Sequence, residues 1–117
     1  MCSNIGSGAF AYCSSLTDIS FPMCTNIGTG AFVHCSSLTD ISFPNCSYIG
    51  DRAFYYCSSL ASVYLTSSSM VTLANSNAFS QCTNLQNIYV NSSLVDTYKA
   101  NSVWSWYADK IVGYLEP

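Results

Sequence analysis

The decapeptide CSSLTDISFP occupies residues 13–22 and returns unchanged at 35–44, and a third version, CSSLASVYL, follows at 57–65. The step between copies is 22 residues, and it also governs positions outside the quoted stretch. Phe10, Phe32 and Phe54 share one phase, joined by Phe79 after a three-residue insertion. Leu16, Leu38, Leu60 and Leu85 make a second row, and Ile19, Ile41, Val63 and Ile88 a third. Phe21, Phe43, Leu65 and Val90 make a fourth, and Ile5-Gly6, Ile27-Gly28 and Ile49-Gly50 recur three times. The insertion lies in TSSSMVTLANSN, residues 66–77, where the fourth unit loses both the proline and the Ile-Gly pair. Four units are therefore present, three regular and one irregular. A period of about 20–50 residues marks a solenoid or a related array.

Within a unit, LTDISF alternates apolar and polar residues, the period-2 pattern of a half-buried strand. Ile19 and Phe21 are expected to point inward, Asp18 and Ser20 outward. Pro22 and Pro44 lack a ladder donor and should end the strand. In GSGAFAYCSSL the apolar residues fall at three-residue steps, which suits a helical or 3₁₀ turn entered through glycine. A unit of one short parallel strand and one compact turn cannot bury its own apolar face. Stacked units share a continuous core, so the spacing predicts an α/β solenoid of about four 22-residue repeats.

The motif IGTGAFVHCSSLTDISFP, residues 27–44, closely resembles the BspA-type leucine-rich repeat, and the match recurs in phase over residues 1–92. The resemblance implies a right-handed leucine-rich-repeat solenoid without catalytic activity or cofactor. It also implies attachment to host matrix or cell-surface proteins, with display at the cell surface or secretion. A structural spacer or assembly segment of a larger surface or phage-borne protein is the alternative of a different class.

Residues 93–117 resemble the segment that often closes such arrays and are expected to form a helical cap of the same domain. Ser93 is a candidate N-cap for a helix carrying Leu94, Val95 and Tyr98 on one side. Asn101 or Ser102 can cap a second, with Trp104, Tyr107 and Ile111 at i, i+3 and i+7. Such faces would cover the last coil, and a Trp/Tyr ligand platform is the other reading. At the opposite end Met1, Cys2, Ser3 and Asn4 enter the repeat in mid-unit with no polar cap. The chain is thus expected either to be the C-terminal piece of a longer protein or to self-associate through this coil.

Of seven cysteines, Cys2, Cys13, Cys24, Cys35, Cys46 and Cys57 fall eleven residues apart, with Cys82 off the step. The ladder Cys13, Cys35, Cys57 and Cys82 would place equivalent residues about 4.8 Å apart, close enough for disulfides. Equivalent side chains in a stack point in parallel, however, and cysteine often serves as a small buried hydrophobe. Buried structural thiols are the favoured reading over disulfides or a metal site. His34 beside Cys35 invites a Cys-His nucleophile. Cys13 and Cys57 hold the same phase beside Tyr12 and Tyr56, so packing accounts for the cysteine and no catalytic residue is assigned.

Asp18 and Asp40 could share a Ca²⁺ ion, but two carboxylates are few ligands, and hydrated side chains are the simpler reading. No metal site is assigned. Only 8% of residues are charged, against about 25% in an ordinary domain. Three basic residues and a net charge of −3 exclude tight binding to a nucleic-acid backbone. No apolar run approaches the roughly 18 residues of a membrane span, and no signal peptide is visible at the N-terminus. What remains is surface. The outward strand residues Asp18, Ser20, Asp40, Ser42, Ser62, Tyr64, Asn87 and Tyr89 should form a ribbon, the candidate partner-binding face. Tyr12, Tyr55 and Tyr56 beside His34 make a second aromatic strip.

Overall fold

Each unit turns three corners, and two of its sides become strands. A computed structural model describes residues 4–114. One side of each coil is a strand of the period-2 segment: β2 (Asp18–Ser20), β4 (Asp40–Ser42), β6 (Ser62–Leu65) and β8 (Asn87–Asn91). These pair in parallel in the order β2-β4-β6-β8, with Ile19 beside Ile41, Ile41 beside Val63 and Val63 beside Ile88. The 22-residue step is therefore the register of the sheet.

The second side is a sheet that the alternation rule did not reveal. The short pairs β1 (Asn4–Ile5), β3 (Asn26–Ile27), β5 (Tyr48–Ile49) and β7 (Thr72–Leu73) form a four-stranded parallel sheet in chain order. Two residues are too few to display period-2 patterning. Gly28 and Gly50 follow these strands because successive coils touch there. A Cβ built on Gly50 would lie 2.8 Å from Gly28 C and 2.8 Å from Thr29 N.

The third side holds the expected helical turn, and it differs from a helix. Ala9, Ala11 and Cys13 donate to carbonyls three residues back, while Gly8, Phe10 and Tyr12 donate across to Thr29, Ala31 and Val33 of the next coil. Alternate amides thus serve the turn and the stack. Left-handed backbone at Gly8 and Gly30 (φ 63° and 61°), and at Tyr12 and His34 (φ 61° and 59°), permits this alternation. A 3₁₀ segment forms here in the irregular fourth unit, Ser76–Phe79.

The core runs down the middle of the coils. Phe10, Phe32, Phe54 and Phe79 stack nearly parallel, with centroids 5.1–5.3 Å apart. Phe21 and Phe43 make a second stack at 5.7 Å. Phe32, Leu38, Ile41 and Phe43 are fully buried, whereas Phe10, Leu16, Ile19 and Phe21 of the first coil are only partly so.

The tail is part helical and part strand. After a 3₁₀ turn at Ser92–Leu94 comes α1 (Val95–Ala100), then a kinked 3₁₀ segment, Trp104–Lys110. Asn91, rather than Ser93, caps the first turn, accepting from Ser93 N at 3.0 Å. Asn101 Oδ1 caps the second segment through Val103 N and Trp104 N. Ile111 does not extend a helical face. It opens β9 (Ile111–Tyr114), which pairs in parallel with β8 and becomes the fifth strand of the larger sheet. A β-branched pair at Ile111 and Val112 favours the extended ladder over another helical turn. Tyr98 and Trp104 are fully buried, and Phe79 packs on Trp104 and Tyr107.

Candidate binding face

The register of the larger sheet sets Asp18 beside Asp40, Asp40 beside Ser62 and Ser62 beside Asn87. A second outward row runs Ser20, Ser42, Tyr64 and Tyr89. The eight residues thus lie in two rows on one face. Asp18 has a neighbouring donor: Thr39 Oγ1 lies 3.0 Å from its Oδ1 and 3.1 Å from Thr17 O, and its single proton serves one or the other. Among the described residues, no three His, Cys, Asp or Glu side chains converge as a metal site would require.

The face changes character along the array. Tyr64 and Tyr89 stack at 4.7 Å with planes 12° apart. Tyr114, on β9, meets both edge-on, at 5.7 Å from Tyr64 and 6.2 Å from Tyr89. Partial burial, then the neighbouring Tyr89, Asp40 and Tyr114, push the Tyr64 hydroxyl above its ordinary range. Three half-buried tyrosines close the C-terminal end of a face that is otherwise short and polar. Tyr114 joins this face only because the tail, whose spacing predicts a helix, ends as a strand. The run IVGY, β-branched then aromatic, was the available signal.

The aromatic strip on the turn side is a stack. His34 lies between Tyr12 (4.9 Å, 5°) and Tyr56 (4.8 Å, 7°), with Tyr55 edge-on at 6.1 Å. The Arg52 guanidinium sits 5.9 Å from the Tyr55 ring centre and also meets Asp51 at 3.1 Å. His34 does not activate Cys35. The Cys35 thiol turns inward and donates to Phe10 O at 3.1 Å, and burial pushes it up to about 11.

The remaining ladder thiols repeat this bond. Cys57 donates to Phe32 O at 3.1 Å and Cys82 to Phe54 O at 3.0 Å, each joining two coils. Hydrogen bonding with the Cys82 thiol, together with burial, raises Cys57 strongly. Cys13, in the first coil, is partly exposed. The second row acts within its own coil: Cys24 donates to Asn26 O and Cys46 to Tyr48 O, and burial pushes Cys46 up to about 12. Cys2 lies outside the described residues.

The strand face thus ends in a tyrosine cluster, and burial keeps the Cys35 and Cys46 thiols protonated. No helix among the described residues is long and apolar enough to cross a membrane. Among curated proteins, none matches the chain. The family model for the BspA type leucine rich repeat region does match, in six copies over residues 3–103. Repeats of this kind are protein-interaction modules, generally without enzymatic activity. Matched over most of its length and folded as the repeat requires, the chain belongs to the BspA type leucine rich repeat family.

Proposed function

We propose that this chain binds a protein partner on the outward face of the larger sheet, over Asp18, Ser20, Asp40, Ser42, Ser62, Tyr64, Asn87 and Tyr89. The observation that carries the reading is the cluster of Tyr64, Tyr89 and Tyr114, half-exposed at one end of a polar ribbon. Clustered tyrosines offer rigid amphipathic contact area at small entropic cost, which is why they concentrate at recognition surfaces. The polar Asp/Ser rows would form the rim. By family, the partner is a host matrix or cell-surface protein, and the module is displayed at the surface or secreted. Residues 93–117 serve as the closing cap of the same domain, a role supported by the burial of Tyr98 and Trp104 against the fourth unit.

Surface plasmon resonance against purified extracellular-matrix glycoproteins tests this. Saturable binding is expected, weakened at least about tenfold by Tyr64→Ser/Tyr89→Ser at an unchanged melting temperature. Undiminished binding by the double variant would move the site elsewhere.

A second reading rests on the first coil, where Phe10, Leu16, Ile19 and Phe21 are partly exposed while their counterparts one coil on are buried. Such a face suits stacking on another coil, as a spacer or assembly segment requires. An oligomer in sedimentation velocity at micromolar concentration, abolished by Phe21→Ser, favours self-association through this coil; a monomer excludes it.

A further inference from the structure

On the turn side of the fourth unit, away from the strand face, a cleft of about 430 Å³ opens between the Ser76–Phe79 segment and the tail. Its outer wall is Trp106, 73% exposed although its neighbours Trp104 and Tyr107 are buried. The indole is not on a loose end. Asn101 caps the start of its 3₁₀ segment, and the Tyr107 hydroxyl donates to Ser76 O, tying that segment to the opposite wall. Phe79 and Tyr107 form the apolar lining. The polar lining includes Asn77, Gln81 and Thr83, whose side chains enter no hydrogen bond among the described residues. No lining residue is charged.

At Gln81 the turn-side row changes its chemistry. It holds left-handed backbone, φ 65°, at the position that Tyr12, His34 and Tyr56 occupy in the preceding coils. Aromatic rings stack on one another along those three coils. In the fourth the row ends in a primary amide on the rim of the cleft. The left-handed backbone is common to all four coils, so it is the exchange of a ring for an amide that sets this one apart.

The geometry points to a binding site for a neutral saccharide, one sugar ring lying against Trp106 with its hydroxyls toward Asn77, Gln81 and Thr83. A pyranose has an apolar C–H face and a rim of hydroxyls, each both donor and acceptor. An indole face matches the first, and uncommitted amides and hydroxyls match the second. A charged ligand would find no counter-charge here, and a purely apolar one would strand the amides without partners. The volume falls within the range of about 300–1,000 Å³ used by small-molecule sites.

The test titrates the intact chain with a panel of neutral mono- and disaccharides: glucose, galactose, mannose, N-acetylglucosamine and their β-linked dimers. Tryptophan emission and calorimetry provide the readouts. At least one sugar is expected to bind saturably at millimolar concentration. Trp106→Ala should abolish the emission change and, like Gln81→Ala, weaken binding about tenfold or more. Tyr64→Ser/Tyr89→Ser should leave it intact, which separates this site from the strand face. Trp106 is exposed, so its variant is expected to keep the parent melting temperature. Absence of binding across the panel, or equal binding by Trp106→Ala, overturns the assignment. Binding of phenyl- or indole-bearing peptides without any sugar also overturns it, by giving the cleft to protein side chains.

Discussion

Val71 donates its amide N–H to the hydroxyl of Tyr98 at 2.8 Å, deep in the molecule and across 27 residues of sequence. Trp104 Nε1 donates in turn to the carbonyl of Val71 at 2.7 Å. Both backbone polar groups of one buried residue in the insertion are thus satisfied by tail aromatics, which themselves meet edge to face at 5.1 Å. Tyr98→Phe preserves the ring and leaves the Val71 amide unpaired. It should cost about 1–3 kcal/mol in urea unfolding. Trp104→Ala removes the bond and the volume together and should cost about 3–5 kcal/mol.

The thiols predict alkaline sensitivity. Burial pushes the folded Cys35 and Cys46 thiols up to about 11 and about 12, above the ordinary thiol value of 9.0. The folded state therefore holds protons that the unfolded chain releases first. Their contribution is complete below about pH 9 and drains away as pH rises through 11–12. Each unit of difference corresponds to about 1.4 kcal/mol per thiol. The melting temperature should be flat from pH 7 to 9 and then fall; a Cys46→Ala variant should fall less steeply. In thiol labelling at pH 8, Cys13 should react first among the thiols of the described residues, and the fully buried Cys35, Cys46 and Cys57 only after unfolding.

Two glycines of the same motif should answer differently to one methyl group. Gly50→Ala places a Cβ 2.8 Å from backbone of the previous coil, where no side chain can yield. A loss of about 1–3 kcal/mol is expected. At Gly6 a Cβ meets no atom of the described residues within 4 Å. Gly6→Ala should be neutral or stabilising by up to about 1 kcal/mol, because the unfolded chain loses freedom. Chemical denaturation of the pair checks both signs.

Left-handed backbone at Gln81 carries a cost that glycine would remove. Gln81→Gly should raise stability by about 0.5–1 kcal/mol in denaturant unfolding. At Tyr56 the same change also deletes the ring stacked 4.8 Å from His34, so Tyr56→Gly should show no comparable gain.

The larger sheet was legible because LTDISF is long enough to alternate, and a constant 22-residue step fixes Ile19, Ile41 and Val63 in register. The stacked phenylalanines followed from phase alone. The smaller sheet was hidden because Asn26–Ile27 and its equivalents are two residues long and draw their order from stacking, not from pattern. The turn side was misleading in a specific way. Three-residue spacing of Phe10, Cys13 and Leu16 is common to 3₁₀ helices and to chained turns, and only the amides bonded across coils tell them apart. In the tail, Trp104 and Tyr107 do lie on one 3₁₀ segment, but Ile111 continues the spacing into a strand. That change of element is what brings Tyr114 to Tyr64, so the candidate face was legible in its rows and not at its aromatic end.

The clasp at Val71 fastens the insertion to the tail. The side chains of Tyr98 and Trp104 hold both its N–H and its C=O, and β9 ladders onto β8 beside them. The fourth unit therefore cannot loosen unless the tail lets go at the same moment. Insertion, last strand and tail should open as one cooperative piece, like a buckle whose two halves release together. Amide exchange at Val71 and along β8 should slow to a common rate, and the tyrosines of the strand face ride on the part that is buckled.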